Sequence, residues 1–120
     1  MEIVMVKTRA SYEVKVYIGS VNEQIKRSFN KQDLVEEVGR FQDVNRPIIP
    51  VRICDTTFIS GSDYYEDGWE ICAINYPKIK CDPETISSFM LKLAENLARF
   101  FHQNRICVIT PHKTIMISKE

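Results

Sequence analysis

A long amphipathic helix is predicted between residues 83 and 102, and its apolar face requires a partner surface. Asp82 is a favourable N-cap, and Pro83 at the first helical position is a strong start signal. Apolar side chains recur at helical spacing along this segment, at Ile86, Phe89, Met90, Leu93, Leu97 and Phe100. The chain must therefore supply a layer that covers this stripe.

A second amphipathic helix is predicted at residues 31–43. Asn30 is a favourable N-cap, and Asp33 stands three residues later in a capping-box position. The segment Asn45-Arg46-Pro47 ends this helix. Its apolar residues also recur at helical spacing, at Leu34, Val35, Val38 and Phe41. This stripe needs the same kind of cover as the first.

Strands are predicted on both sides of each helix. Residues 11–18 alternate, with Tyr12, Val14, Val16 and Ile18 on one face, and residues 3–7 are predicted to form a strand beside them. The other predicted extended segments are residues 24–29, 48–59, 69–76, 105–110 and 114–118, with a polar turn at 61–68. The order β-β-α-β-β-α-β-β predicts a single α+β domain over residues 1–120, a mostly antiparallel sheet with two helices on one face.

The charge balance and apolar runs exclude several classes of partner. Sixteen basic residues balance sixteen acidic residues, so no net field favours a long nucleic acid or an anionic membrane. The apolar runs are far shorter than the roughly 20 residues that a membrane-spanning helix needs. The first residues lack the basic and apolar regions of a signal peptide. We expect a soluble protein that binds neither nucleic acid nor membrane.

The cysteine spacing argues against a metal site. The chain has four cysteines, Cys54, Cys72, Cys81 and Cys107. No C-x-x-C pair occurs, and neither His102 nor His112 stands at a metal-ligand spacing from any of them. The thiols at positions 54, 72 and 107 fall in strand-like segments and are predicted to be core residues, with disulfides as the less favoured alternative. We therefore expect no metal and a reducing compartment such as the cytoplasm.

The sequence contains no recognisable catalytic motif. It has no G-x-S-x-G elbow, no cysteine-protease signature and no glycine-rich nucleotide loop. The acidic residues around the predicted turn are interpreted as a solvated loop rather than a paired-carboxylate site; they are Asp55, Asp63, Glu66, Asp67 and Glu70. These observations predict a binding protein that is not an enzyme and needs no cofactor. An enzyme without a recognisable motif stays open as a less favoured alternative.

Aromatic and arginine side chains are the candidates for ligand binding. The aromatic cluster comprises Tyr64, Tyr65, Trp69 and Tyr76. The arginines in or beside regular elements are Arg27, Arg52, Arg99 and Arg105. An adenine ring stacks on an aromatic or guanidinium plane, and phosphates accept bidentate hydrogen bonds from arginine. Packing and solvation are the alternative roles for every one of these residues.

Three short motifs resemble a group of small phage-encoded proteins: VYIG at 16–19, INYP at 74–77 and QNRICVITPHKTIMI at 103–117. The family they resemble is the anti-Thoeris cyclic-nucleotide sponge family, the first of the Thoeris anti-defence families. The resemblance covers about the C-terminal half and the VYIG strand. It implies a non-enzymatic homo-oligomer in the bacterial host cytoplasm. This oligomer would sequester a cyclic ADP-ribose-type signal made by bacterial TIR proteins.

The resemblance also implies a set of ligand-binding residues. Arg105 matches the arginine that stacks on adenine in that family. The aromatic partner is expected just past the NYP turn, where this chain has Ile79, so Tyr76 is the candidate substitute. Arg27, beside the first helix, is a candidate for binding a pyrophosphate. The competing hypothesis is a small interaction or inhibitor module that adds a strand to a partner at a sheet edge.

Overall fold

The computed structural model describes residues 2–78 and 81–118. Its elements are β1 (Glu13–Gly19), β2 (Val21–Asn22), β3 (Arg27–Ser28), α1 (Lys31–Val44), β4 (Arg52–Ile59), β5 (Tyr65–Ile74), α2 (Pro83–Phe100), β6 (Arg105–Ile109) and β7 (Thr114–Ser118). Five strands form an antiparallel sheet in the order β4-β5-β1-β6-β7, and β2 pairs with β3 in a small separate hairpin. The predicted α+β class is confirmed.

The pairing register divides the sheet into two different faces. Val16 of β1 pairs with Ile71 on one side and with Val108 on the other, and all three side chains are buried. Paired residues point to the same face, and successive residues point to opposite faces. We call the face that carries Val16 the helix face. The opposite face, which carries Lys15 and Tyr17, is the open face.

Both helices pack on the helix face, as predicted. The buried side chains of α1 include Leu34, Val38 and Phe41, and those of α2 include Ile86, Met90, Leu93 and Leu97. They form one cluster with the buried residues of β1, β5 and β6. Two residues of the predicted stripes lie outside it, because Val35 and Phe100 are exposed.

The helix starts follow the predicted capping signals. The backbone N–H of Asp33 donates to Asn30 Oδ1 at 2.9 Å, and the backbone N–H of Asn30 donates to Asp33 Oδ2 at 3.1 Å. The backbone N–H of Thr85 donates to Asp82 Oδ1 at 2.8 Å. Each bond satisfies a backbone donor that has no partner inside its helix.

A buried carboxylate joins the two helices. Glu37 on α1 is 3% exposed and accepts a hydrogen bond of 2.7 Å from Asn96 Nδ2 on α2. Arg40, one turn later, donates from Nε to Glu37 Oε1 at 2.9 Å and also pairs through Nη2 with Glu37 Oε2. The hydrogen bonds from Arg40 lower the pKa of Glu37, against the opposing effect of burial. The buried charge is thus compensated from both helices.

The predicted strand at residues 3–7 is wrong. These residues form no strand, and the side chains of residues 3–6 are exposed. The reason is topological, since β1 is the central strand and both of its edges are taken, by β5 and by β6. A strand beside residues 11–18 therefore has no free edge to pair with.

The predicted polar turn at residues 61–68 is too long. β5 already begins at Tyr65, which pairs with Ile59, and Gly68 pairs with Thr56. Cross-strand pairing with β4 extends the strand through residues that have low strand propensity. The acidic residues Glu66 and Glu70 therefore lie on a strand and not in a solvated loop.

The cysteine predictions hold in part. All four thiols are free; Cys72 and Cys81 are buried and Cys107 is half-buried. Cys54 is exposed and pairs with Glu70 on the open face, so its prediction as a core residue is wrong.

Residues 2–78 and 81–118 contain no group of side chains suited to a metal ion. In the same residues, neither helix has the length and apolarity needed to cross a membrane.

Candidate active site

A cleft of about 420 Å³ lies on the open face, at the end of the sheet where β1 finishes and β6 begins. The small β2-β3 hairpin and the β4-β5 turn form its sides. Its aromatic, acidic and basic lining residues are Tyr17, Phe58, Tyr64, Glu23, Glu66 and Arg105. The volume lies within the range of small-molecule sites, roughly 300–1,000 Å³.

Glu66 is held against the backbone of β1. A Cβ added to Gly19 would lie only 2.1 Å from Glu66 Oε2, so a side chain at this position would displace the carboxylate. The backbone N–H of Val21 donates to the same oxygen at 3.0 Å, and the Tyr64 hydroxyl donates to Oε1 at 2.5 Å. The bond to Glu66 raises the pKa of Tyr64. The carboxylate is therefore oriented from two sides.

Glu70 forms a second oriented carboxylate beside the cleft. The Tyr17 hydroxyl donates to Glu70 Oε1 at 2.8 Å, and Lys15 Nζ lies 3.8 Å from the same oxygen. The bond to Glu70, with burial, raises the pKa of Tyr17. The Tyr17 ring also packs edge-on against Phe58, with the ring centroids 6.2 Å apart. Tyr17 thus connects the aromatic wall of the cleft to this carboxylate.

Arg105 is the basic residue of the cleft. It opens β6 and is exposed, and no carboxylate in residues 2–78 or 81–118 forms an ion pair with it. Two residues earlier, the buried Gln103 donates from Nε2 to the carbonyl of Val21 at 2.7 Å. That bond fixes the junction of α2 and β6 against the hairpin. The guanidinium is thus available to a bound anion.

The cleft combines three kinds of recognition chemistry. Tyr17, Phe58 and Tyr64 offer ring surfaces for stacking, and aromatic faces also attract cations. Glu66 in the cleft and Glu70 beside it supply negative charge, and Arg105 supplies positive charge for a carboxylate or phosphate. The site therefore suits a ligand with an aromatic base, at least one cationic group and one anionic group.

Of the candidate ligand-binding residues, Tyr64 and Arg105 lie together at the cleft, and Arg27 and Tyr76 do not. Arg105 lines the cleft, whereas Arg27 is exposed on β3 near this end of the sheet without lining it. Tyr76 follows β5, whose last residue Ile74 pairs with Glu13 at the opposite end of β1. Six residue steps along the strand separate Glu13 from Gly19, a distance of about 20 Å. Ile79 lies outside the described residues.

Sequence reasoning missed most of the residues that line the cleft. Tyr17 lies between Val16 and Ile18 in an alternating strand, so its side chain points away from the core. A large aromatic residue on the polar face of a strand was the available signal, and Phe58 on β4 carries the same signal. Glu66 was missed because residues 61–68 were interpreted as a turn, and Glu70, although in the predicted strand 69–76, was grouped with the acidic residues of that turn.

The other end of the open face carries a charge network without a comparable aromatic wall. Lys15 Nζ lies 3.3 Å from Glu13 Oε1, and Arg52 Nη2 lies 3.8 Å from Glu13 Oε2. Cys72 is buried beneath these side chains, and burial raises the pKa of its thiol to about 11. A thiol with so high a pKa is a poor nucleophile near neutral pH, so this end has no activated cysteine.

No protein-family model matches the chain, and no curated protein matches it. Two similar solved structures are those of a phage SAM lyase. The structure in complex with S-methyl-5'-thioadenosine superposes with a TM-score of 0.70 and 14% sequence identity, over 99% of this chain and 98% of that chain. The apo structure superposes with a TM-score of 0.75 and 15% identity, over 98% of each chain. At this identity the likeness shows a shared fold.

These matches correct the functional prediction from the sequence. A non-enzymatic sponge for a cyclic ADP-ribose-type signal was predicted, with an interaction or inhibitor module as the alternative. Both are contradicted, as is the prediction that the chain is not an enzyme, because the similar structures are those of an enzyme with a different substrate. That enzyme belongs to a different family from the anti-Thoeris sponges. The resemblance of the short motifs to the sponge family stays a prediction that no comparison tests.

Proposed function

We propose that this protein is an enzyme that cleaves S-adenosylmethionine at its sulfonium centre and releases S-methyl-5'-thioadenosine. The observation that carries the proposal is the cleft on the open face, where aromatic rings, the oriented carboxylate of Glu66 and the exposed guanidinium of Arg105 meet, with the oriented carboxylate of Glu70 beside them. It is supported by the shared fold with a phage SAM lyase, one structure of which contains S-methyl-5'-thioadenosine.

The reaction balances without water, metal or an external proton. S-methyl-5'-thioadenosine keeps the adenosine, the sulfur and the methyl group, so the bond that breaks joins sulfur to Cγ of the aminobutyrate chain. The electron pair of that bond goes to sulfur, and the sulfonium becomes a neutral thioether. In the route we favour, the substrate's own carboxylate oxygen forms a new bond to Cγ, and the four-carbon fragment leaves as a lactone.

The charged residues of the cleft match the charges of this substrate. The carboxylates of Glu66 and Glu70 are placed to bind the sulfonium and the α-ammonium group, and Arg105 is placed to orient the substrate carboxylate. Both carboxylates already accept a tyrosine hydroxyl, which favours a role in binding and positioning over one as a free base. Positioning is effective for an internal displacement, since near-attack geometry removes much of its barrier.

The aromatic residues provide the remaining contacts. Tyr17, Phe58 and Tyr64 offer ring surface on which the adenine can stack, a contact worth about 1–3 kcal/mol per base. The displacement neutralises one positive and one negative charge, so a weakly polar surrounding favours its transition state. The cleft of one chain is open to solvent, whereas sites of this kind usually bury most of their ligand. A second copy of the chain could supply the missing cover, and we therefore include a homo-oligomer in the proposal.

The direct test is incubation of the purified chain with S-adenosylmethionine, followed by chromatography. We expect S-methyl-5'-thioadenosine to accumulate with time and with protein concentration. Proton NMR of the second product separates the two water-free routes, because internal displacement gives a lactone and loss of a Cβ proton gives an alkene. Unchanged S-adenosylmethionine at stoichiometric protein would overturn the proposal, and an alkene product would overturn only the favoured route.

A further inference from the structure

The N-terminal arm, residues 2–8, is an apolar segment that the fold leaves uncovered. Its four consecutive apolar side chains are between 78% and 84% exposed; they are Ile3, Val4, Met5 and Val6. The chain is fastened to the domain only after the arm, where Arg9 Nη1 donates to Asn75 Oδ1 at 2.9 Å and Asn75 Nδ2 donates to the carbonyl of Ala10 at 3.0 Å. A run of this kind marks a contact with another surface.

The two edges of the sheet differ in their protection against strand pairing. β4, at one edge, begins two residues after Pro50 and contains the charged residues Arg52 and Asp55. Proline and charge are the usual protection of an edge strand. β7, at the other edge, is Thr-Ile-Met-Ile-Ser and contains no charged residue. β7 is therefore the edge on which another strand can pair.

A groove beside β7 has room for the side chains of an added strand. It measures about 560 Å³ and lies between α2 and β7, with Ala98, His102 and Ile117 among its lining residues. On the open face of the same strand, Met116 is 58% exposed. A strand paired to β7 would place alternate side chains in the groove and the others beside Met116. Ala98 and Ile117 in the groove and Met116 on the open face offer apolar contacts to both of its faces, and residues 3–6 provide apolar side chains for them.

We propose that the N-terminal arm of one copy of this chain adds a strand to β7 of a second copy. Residues 3–7 match β7 in length, since β7 has five residues. The arm of the same copy is disfavoured, because its base is held at Asn75 after β5, whereas β7 lies on the other side of β1 beyond β6. The exchange buries the apolar arm and pairs an exposed sheet edge at once. This proposal does not depend on the reaction proposed above.

The test compares the full chain with a variant lacking residues 2–7 by sedimentation velocity across a concentration series. We expect the full chain to form an oligomer and the shortened chain to stay monomeric, with at least about 100-fold weaker association, which corresponds to about 2.7 kcal/mol. V4D/V6D should reproduce the loss, and Ala98→Phe, which fills the groove from α2, should weaken association in the presence of an intact arm. Val44→Ser, which changes an exposed apolar residue on α1, is the matched control and should have no effect.

Hydrogen exchange of the same samples locates the contact. Amides of the arm and of β7 should become protected as the oligomer forms, and those of β4 should not. A monomeric full chain, an oligomer that survives removal of the arm, or protection at β4 in place of β7 would each contradict the proposal. Because the deleted residues lie outside the core cluster, the shortened chain should keep the circular dichroism spectrum of the full chain and should unfold with a midpoint that does not change with protein concentration.

Discussion

The two faces of the sheet are built from alternate residues of the same strands, yet they differ in almost every respect. On the helix face, Val14, Val16 and Ile18 of β1 are buried beneath two helices. On the open face, the residues between them include Lys15 and Tyr17, which contact Glu70 of the neighbouring strand. The helix face contains the apolar core, and the open face holds the oriented polar groups on which the proposed function rests.

The contrast shows how stability and chemistry are separated in a small domain. Apolar burial supplies most of the folding free energy, and here it comes from one side of the sheet. The other side is then free to hold carboxylates and aromatic rings in defined positions on rigid strands. Substitutions on the two faces should therefore have different consequences.

Methionine truncation gives the largest expected difference in stability between the faces. Met90 of α2 is fully buried in the core between that helix and the helix face, whereas Met116 of β7 is 58% exposed on the open face. Met90→Ala should lower the free energy of unfolding by about 3 kcal/mol, because it removes buried atoms and leaves a cavity. In the chain lacking residues 2–7, where no arm can cover β7, Met116→Ala should change it by less than about 0.5 kcal/mol. Urea denaturation followed by circular dichroism measures both, and equal losses would show that the open face is covered too.

Removing one charge from the open face should affect activity and leave stability nearly unchanged. Glu70→Gln keeps an acceptor for the Tyr17 hydroxyl but loses the negative charge, so kcat/KM for S-adenosylmethionine should fall about 100-fold, or about 2.7 kcal/mol. Glu36→Gln, at an exposed position on α1, is the matched control. Steady-state rates of S-methyl-5'-thioadenosine release test this. Wild-type activity in Glu70→Gln would remove this residue from the proposed site.

Removing the charge of Glu37, the buried carboxylate between the helices, should lower stability rather than activity. Glu37→Gln should lower stability by about 2 kcal/mol at neutral pH, because it weakens the bonds from Arg40 and Asn96. The folded-state pKa of Glu37 is lowered from 4.5, so this stabilisation is present above that value and is lost as the pH falls through the folded pKa. Denaturant midpoints of both proteins should therefore converge toward acid. A constant difference down to pH 2 would rule out charge as the cause.

The smallest expected effect distinguishes two arginines at one end of the sheet. Arg105→Ala should raise the KM for S-adenosylmethionine about 10-fold, since a charge-assisted contact with the substrate carboxylate is lost. Arg27→Ala should change the KM less than about twofold, because Arg27 does not line the cleft. Initial rates over a substrate series give both values. Equal effects would mean that Arg27 also reaches the ligand.

Local signals predicted the elements well, because each depends on a few neighbouring residues. The cap at Asp82 and the apolar spacing that follows determine where α2 begins and which side it buries. The early start of β5 at Tyr65 could not be predicted in this way, since it depends on pairing with β4 across a turn. The candidate site was missed for the same reason. Arg105 and Tyr64 were among the predicted candidates and line the cleft, whereas Tyr17, Phe58, Glu66 and Glu70 come from three separate strands.

The sequence alone determined the helices, most of the strands and the two-layer class of the fold, because periodicity and capping act over a few residues. Strand order was decided only in the tertiary structure, where β1 takes the centre and excludes residues 3–7 from the sheet. That order brings β6 beside β1 and places Arg105 at the Gly19 end of the open face, far from Tyr76. Contacts between residues distant in sequence arise only when loops close and strands pair, and local residue patterns contain little information about either process.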